Sequence, residues 1–282
     1  GIECDLTMVR TAPDTWYVVT GAAFGAHDMG WFREQSPSDG SVQIRDVTSA
    51  RAVINLCGPL SRDVLQAVCE DDVSNTAFKY GRAREITIGA APVLALRIGY
   101  TGELGWELHV PTEYAAHVYE VLRAAGEPHG IVDVGYRAID RLRVEKGYVY
   151  WSTDVTPDTT PLEAGLTWRI DWDKGPFCGR DALVAQRDAG VTRKLCTFTL
   201  ELEPGQMAYP VGGEAIIADG EVVGFSTTAN FGSTIGKPVL YGYLPIALCE
   251  RTDFTVEVYG EPYRATRHDA PLHDPTGARL RS

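Results

Sequence analysis

The chain has 282 residues, of which 44% are hydrophobic, and it carries a formal net charge of −12. That length supports two packed domains, since domains usually have about 100–200 residues, and the acidic balance with scattered basic residues opposes nucleic-acid binding. No long apolar run or N-terminal signal pattern occurs, which opposes membrane insertion and secretion and predicts a cytoplasmic protein.

The first part of the chain alternates strands and helices. Residues 1–20 predict a β-hairpin, because apolar residues alternate with polar ones and place Asp5 on the polar face. The elements predicted after it are a helix at 22–35, strands at 42–46 and 52–56, a helix at 61–70, strands at 84–88, 93–100 and 106–110, a helix at 112–125 with Thr112 as its N-cap, and a helix at 136–146. This order predicts an α+β domain.

After Trp151 the pattern changes to an irregular stretch rich in proline and threonine, followed by a helix near 180–187. The predicted strands beyond it are 194–202, 214–218, 222–228, 239–244, 254–259 and 262–267. Asp219-Gly220 is a two-residue hairpin signal between two of them. Short strands at this spacing predict a small antiparallel barrel or sandwich. We therefore divide the chain into domains at 1–190 and 191–282.

Cysteines and common catalytic motifs give mostly negative information. None of the six cysteines lies in a CxxC pair or in a zinc-like spacing with histidine, so reduced, mostly buried thiols and no metal site are expected. The chain has no GxSxG, Walker A or HExxH motif, and no GxGxxG after a strand. Flavin or nicotinamide binding by this chain itself is therefore not predicted.

The segment from Tyr100 to Glu107 is the best local candidate for a ligand site. It places two glycines and two carboxylates between two predicted strands, with an aromatic residue at each end, and a carboxylate can accept two parallel N–H bonds from an amidine-like edge. An ordinary tight turn with solvated glutamates explains the same composition. Asp5 is equally consistent with a solvent-facing strand residue, and the charges at 137–145 with a paired helix surface.

Five segments together resemble the aminomethyltransferase (glycine-cleavage T-protein) family: residues 1–7 (GIECDLT), 56–59 (LCGP), 100–108 (YTGELGWEL), 141–147 (RLRVEKG) and 161–166 (PLEAGL). Their order and spacing match along nearly the whole chain. Within that family, residues 136–140 and 145–148 are most similar to the C-terminal folate-binding half of sarcosine and dimethylglycine dehydrogenases. The resemblance implies folate-binding α+β lobes around a central channel, then a small antiparallel β-barrel. It also implies that the N-terminal part of the first lobe is missing.

The resemblance also implies roles for individual residues. Asp5 matches the catalytic aspartate that holds or takes up a proton beside the reactive folate nitrogens, and Glu107 matches the carboxylate that grips the pterin edge. The other positions that match folate contacts are Tyr17, Val19, Tyr100 and Arg137. The T-protein has an arginine directly before the helix aspartate, whereas this chain has Ile139 before Asp140, so Arg137 is expected to substitute.

The implied function is tetrahydrofolate-dependent one-carbon transfer. The chain would capture the iminium or formaldehyde from oxidative N-demethylation of sarcosine or dimethylglycine as 5,10-methylenetetrahydrofolate, with FAD on a separate domain or subunit. Two alternatives remain open. One is a folate-binding protein without catalysis, and the other is a stand-alone folate-dependent aminomethyltransferase or demethylase.

Overall fold

The computed structural model describes residues 1–269 and 271–282. The chain forms two compact units. The sheet unit contains Cys4–Gly99, Glu103–Asp133 and Gly277–Ser282, and the barrel unit contains Gly1–Glu3, Tyr100–Gly102 and Val134–Thr276. The division at residue 190 stays a prediction, because compactness alone does not establish where a domain folds independently.

The sheet unit combines a hairpin, a four-stranded antiparallel sheet and helices. Its strands are β1 (Leu6–Ala12), β2 (Thr15–Thr20), β3 (Arg51–Cys57), β4 (Ala83–Ile88), β5 (Ala91–Leu96) and β6 (Gly105–Pro111). Its helices are α1 (Gly25–Gln35), α2 (Ser61–Val68), α3 (Ala115–Gly126) and α6 (Ala278–Arg281). β1 pairs with β2, and the larger sheet has the order β3-β6-β5-β4.

Strand β6 shows why this sheet has two unlike faces. Trp106, Leu108 and Val110 are buried in a core that also contains apolar side chains of α2 and α3. Since successive side chains of a strand point to opposite faces, Glu107 and His109 belong to the other face. The sequence therefore gives the sheet one apolar face and one face with titratable groups.

In its described residues, the barrel unit contains two α-helices and a closed antiparallel barrel. The helices are α4 (Tyr136–Glu145) and α5 (Arg180–Ala189), and the strands are β7 (Arg193–Leu200), β8 (Ala215–Ala218), β9 (Glu221–Gly232), β10 (Lys237–Pro245), β11 (Asp253–Val258) and β12 (Glu261–His268). The barrel has the order β10-β7-β12-β11-β8-β9. Asp219 and Gly220 both have positive φ between β8 and β9, as a two-residue hairpin turn requires. The predicted α+β fold followed by an antiparallel barrel is confirmed.

A buried ion pair connects α4 to the barrel. Arg143 Nη1 lies 2.6 Å from Asp154 Oδ2, and the two side chains are 4% and 0% exposed. Asp154 also accepts hydrogen bonds from the Tyr150 backbone N–H at 2.9 Å and from Thr227 Oγ1 at 2.6 Å. Arg143 donates to Thr228 Oγ1 at 3.0 Å. Because both threonines belong to β9, this network fixes the helix against the barrel wall.

Three local predictions are wrong. Residues 42–46 form no strand; they are exposed and have no paired strand among the described residues. Thr112 is not the N-cap of α3, because a 3-10 turn (Thr112–Tyr114) precedes the helix and the Thr112 hydroxyl donates to the carbonyl of Ser49. Asp5 lies before β1 rather than on it, because the hairpin begins at Leu6, five residues later than predicted.

The cysteines differ in burial more than expected. Cys69, Cys196 and Cys249 are buried, Cys57 and Cys178 are exposed, and Cys4 is intermediate. The expectation of mostly buried thiols is thus wrong for half of them. No helix in the described part of the chain is long and apolar enough to cross a membrane.

Candidate functional site

The face of the four-stranded sheet opposite its core carries the candidate site. Val53 pairs directly with His109, and Asn55 pairs with Glu107. Directly opposed residues of antiparallel strands point to the same face, so these four side chains form one patch across β3 and β6. Val53 is 47% exposed, which leaves an apolar surface open beside the Glu107 carboxylate.

Tyr17 and Glu107, two residues predicted from the sequence, are connected through His109. The Tyr17 hydroxyl lies 3.0 Å from His109 Nδ1, and the two rings meet edge to face with centroids 5.3 Å apart. On its other side, His109 Nε2 lies 3.6 Å from Glu107 Oε2. The His109 side chain is 0% exposed, whereas that of Glu107 is 22% exposed. Glu107 and Tyr17, both of intermediate exposure, are therefore the members of this cluster that solvent or a ligand can reach, whereas His109 is not.

Electrostatics keep the Tyr17 hydroxyl protonated. Burial raises the pKa of Tyr17; the positive charge of Arg51 opposes this effect, and the negative charge of Glu107 adds to it. The net result is a raised pKa. Tyr17 is thus neutral at physiological pH, and its hydroxyl can donate or accept a hydrogen bond.

Asp5 is exposed and directly precedes β1, whose first residue, Leu6, pairs with Thr20 at the end of β2. Asp28 of helix α1 is 2% exposed and accepts hydrogen bonds from Thr20 Oγ1 and, at 3.0 Å, from His27 Nδ1. Burial alone would raise the pKa of Asp28, but hydrogen bonds from Thr20, His27 and Cys4 lower it. The ionised carboxylate therefore anchors the part of the hairpin from which Asp5 extends.

Cys4, His27 and Asp28 also bring three potential metal-ligand atoms within 4.8 Å of one another. The sequence spacing of cysteines and histidines does not reveal this group, because the hairpin and α1 bring its members together. Asp28 already accepts hydrogen bonds from both neighbours, and this explains the grouping without an ion. The absence of a metal site stays a prediction.

The remaining predicted residues are divided between the two units. Val19 lies two residues after Tyr17 on β2, hence on the same side of the hairpin. In the barrel unit, the Tyr100 hydroxyl donates to Val149 O at 2.6 Å and the Tyr100 ring stacks on Tyr148 with centroids 5.8 Å apart. Arg137 is exposed in the first turn of α4. Of the six predicted site residues, Asp5, Tyr17, Val19 and Glu107 belong to the sheet unit.

Two residues of this region are missing from the sequence-based prediction. His109 follows Glu107 by two positions, so strand alternation alone places both on one face. Its link to Tyr17 spans 92 residues of sequence and is not visible locally. Asp28 gives no local signal either, because an aspartate in the first turn of a helix is usually explained by the helix dipole.

Comparison with known proteins identifies the family. A model described as the GCVT N-terminal domain matches residues 1–174, and one described as the glycine cleavage T-protein C-terminal barrel domain matches residues 193–274. This chain belongs to the glycine cleavage T-protein family. The family binds tetrahydrofolate and carries out folate-dependent aminomethyl or one-carbon transfer, and its aminomethyltransferase members are enzymes.

Three relatives place the chain within this T-protein family. It is 36% identical to mitochondrial sarcosine dehydrogenase of Mus musculus, covering 100% of this chain and 33% of the relative. It is 35% identical to mitochondrial dimethylglycine dehydrogenase of the same organism, covering 99% of this chain and 32% of the relative. The crystal structure of aminomethyltransferase T of the glycine cleavage system from Bartonella henselae matches with a TM-score of 0.84 at 25% identity, over 98% of this chain and 73% of that one. The chain spans about a third of the length of these two dehydrogenases.

Proposed function

We propose that this chain binds tetrahydrofolate and captures the one-carbon unit from oxidative N-demethylation of sarcosine or dimethylglycine as 5,10-methylenetetrahydrofolate. The observation that carries the proposal is the cluster of Tyr17, His109 and Glu107 on the open face of the sheet. It presents a partly exposed carboxylate directly beside the fully buried His109 side chain of the same face. The similarity to sarcosine and dimethylglycine dehydrogenases supports the choice of one-carbon donor.

The residues of this face suit a reduced pterin. The pterin ring has a flat surface and an edge with adjacent N–H donors, so it needs an apolar wall and a carboxylate that accepts two parallel bonds. Val53 is half exposed beside the Glu107 carboxylate. Tetrahydrofolate, when bound, supplies two N–H nitrogens that take the formaldehyde carbon between them with loss of one water.

Asp5 is the proposed catalytic residue. It is an exposed carboxylate at the start of the hairpin that also carries Tyr17 and Val19. A carboxylate there can take up a proton and stabilise positive charge as the one-carbon unit is transferred. Tyr100 and Arg137 remain folate contacts that the resemblance to the family predicts. The hydrogen bond from Thr20 to Asp28 limits the movement of the hairpin where Leu6 pairs with Thr20, and so favours a fixed position of Asp5.

A flavin-containing partner completes the proposal. Because this chain spans about a third of the related dehydrogenases, their remaining length has room for a flavin domain. We propose that oxidation of the N-methyl amine takes place there or on a separate subunit. This chain would hold the acceptor close by, which turns a bimolecular capture into a local one. A cytoplasmic location stays a prediction, and both dehydrogenases carry the word mitochondrial in their names.

Tetrahydrofolate affinity of a Glu107→Gln variant tests the binding part of the proposal. Loss of the charge weakens two hydrogen bonds to the ligand, so we expect affinity to fall about 10- to 100-fold in isothermal titration calorimetry. Glu113→Gln is the matched control, because Glu113 is exposed in the turn after the same strand. Equal affinity of the Glu107 variant and the wild type would contradict the proposed site.

Asp5→Asn separates catalysis from simple binding. Purified chain is mixed with tetrahydrofolate and formaldehyde, and methylenetetrahydrofolate formation is followed above the uncatalysed rate. The variant should bind tetrahydrofolate normally but lose about 10²- to 10⁴-fold of the catalysed rate, the usual contribution of general acid–base catalysis. Asp14→Asn, an exposed aspartate in the hairpin turn, should behave as the wild type. If the wild-type chain binds tetrahydrofolate but forms methylenetetrahydrofolate no faster than the uncatalysed reaction, the result would favour a non-catalytic folate-binding protein.

A further inference from the structure

His109 is a fully buried titratable side chain whose two ring nitrogens differ in their hydrogen bonding. Its Nδ1 contacts the Tyr17 hydroxyl at 3.0 Å. Its Nε2 is buried and has no hydrogen-bond partner among residues 1–269 and 271–282, although it lies 3.6 Å from Glu107 Oε2. Buried polar atoms are nearly always paired, so an unpaired one aimed at an accessible carboxylate calls for a functional explanation.

The neighbours of His109 determine which ring nitrogen carries the proton. If Nδ1–H donated to the Tyr17 oxygen, the lone pair of Nε2 would face the Glu107 carboxylate, and two acceptors would oppose each other in a buried site. If the Tyr17 hydroxyl donates to Nδ1, Nε2–H faces the carboxylate instead. The second arrangement is favoured electrostatically. The raised pKa of Tyr17 keeps its hydroxyl protonated and able to donate.

We infer that His109 is a positioning residue that fixes the Glu107 carboxylate for its ligand, with the carboxylate selecting the His109 tautomer that carries its proton on Nε2. The present separation of 3.6 Å exceeds a hydrogen bond, and a movement of about half an ångström brings the two atoms into the usual range. Each carboxylate oxygen has two lone-pair sites. Glu107 Oε2 can therefore accept Nε2–H and still accept one N–H from a ligand.

The consequence for recognition is a preorganised acceptor. A glutamate on a strand samples several rotamers, and holding it in one lowers the cost of binding. This inference rests on the proposed function, because the ligand is taken to be a pterin edge with adjacent N–H donors. The tautomer itself, however, is a property of the ligand-free protein.

The first test reads the tautomer directly. 15N NMR of histidine-labelled protein without ligand should show His109 protonated at Nε2 and not at Nδ1, with its signal assigned by its loss in a His109→Gln variant among the six histidines. Tyr17→Phe removes only the hydroxyl and should leave Nε2 protonated, whereas Glu107→Gln removes the group that can only accept and should produce a mixture of tautomers. Protonation at Nδ1 in the wild type would overturn the inference whatever the protein binds.

The second test measures tetrahydrofolate affinity by calorimetry. His109→Phe keeps a ring but loses the donor, so affinity should fall about 10- to 100-fold. His109→Gln places an amide N–H near the position of Nε2 and should restore affinity to within about threefold of the wild type. Urea unfolding of both variants checks that the sheet unit remains folded.

The outcomes separate the two proposals. Unchanged affinity in a folded His109→Phe variant, or equal losses in the Phe and Gln variants, would refute the positioning role while the folate site itself stands. Failure of the wild type to bind tetrahydrofolate would overturn the proposed function and, with it, the role of His109 toward a pterin. In that event an Nε2-protonated signal would still show that the tautomer assignment is right.

Discussion

Replacing Asp154 with asparagine should strongly destabilise the barrel unit. The substitution keeps the shape of the side chain but removes the charge that neutralises Arg143 at 2.6 Å. The amide oxygen can still accept from Tyr150 N–H, and the amide nitrogen can face the Thr227 hydroxyl in place of Oδ1. The dominant loss is therefore electrostatic rather than steric.

The magnitude follows from the burial of the pair. Breaking a buried ion pair by removing one partner usually costs about 3–5 kcal/mol, because the remaining charge stays buried without compensation. Arg143 retains a second contact to Asp140 Oδ1 at 2.8 Å, and that carboxylate is 35% exposed. We therefore expect the lower end of the range, about 3 kcal/mol, which corresponds to a decrease of about 6–12 °C in Tm for a domain of this size.

Asp219→Asn is the matched control. Asp219 lies at the same distance of 2.6 Å from Arg251, but its side chain is 79% exposed. Exposed pairs contribute about 0–1 kcal/mol, and asparagine tolerates the positive φ at this position. Thermal unfolding followed by circular dichroism compares the two variants. Equal decreases in Tm for both variants, or a decrease below about 3 °C for Asp154→Asn, would refute the argument that breaking the buried ion pair destabilises the protein more than breaking the exposed one.

Three further outcomes are expected. The exposed thiols of Cys57 and Cys178 should react rapidly with Ellman's reagent in the native protein, whereas the buried thiols should react only after denaturation. Burial raises the pKa of Cys196 to about 12, which keeps its thiol protonated and unreactive. Rapid reaction of Cys196 in the native protein, detected by mass spectrometry, would contradict this prediction. Because the folded pKa of Asp28 is lowered, its carboxylate stabilises the protein at neutral pH and ceases to do so as pH falls through that pKa. The difference in unfolding free energy between wild type and Asp28→Asn should thus shrink on acidification, and a constant difference would count against an ionised anchor. Leu108→Ala, at a fully buried core position, should lower the free energy of unfolding measured in urea by about 2–5 kcal/mol. A decrease below about 1 kcal/mol would contradict the tight packing of Leu108 in the core.

The barrel could be predicted from the sequence because its signals are local. Alternation of apolar residues marks each strand, and Asp219-Gly220 marks a turn whose positive φ values few residues tolerate. The lengths of two strands were harder to predict, because β9 and β10 are longer than the predicted 222–228 and 239–244. Gly224 and Gly242 lie inside β9 and β10, where glycine normally argues against a strand. A methyl group at Gly224 would lie 2.3 Å from Tyr243 O, so the close approach of neighbouring strands requires glycine there.

The site was predictable only in part. Glu107 and Tyr17 could be named from the resemblance to the T-protein family, but no local rule connects them to His109 and Asp28. Both of these residues gain their roles from contacts to the hairpin β1-β2. The strand at 42–46 was wrongly predicted for the opposite reason. Local composition favoured an extended segment, but the described part of the chain supplies no partner strand.

Closure of the barrel has a consequence for partial unfolding. Each of its six strands has a hydrogen-bonded neighbour on both sides, including β10 and β9, which join the ends of the ring. Detaching β12 would leave unsatisfied backbone groups along both β7 and β11 at once. An open sheet can lose its outermost strand and keep the rest, but this ring has no outermost strand, so it should assemble and come apart as a whole.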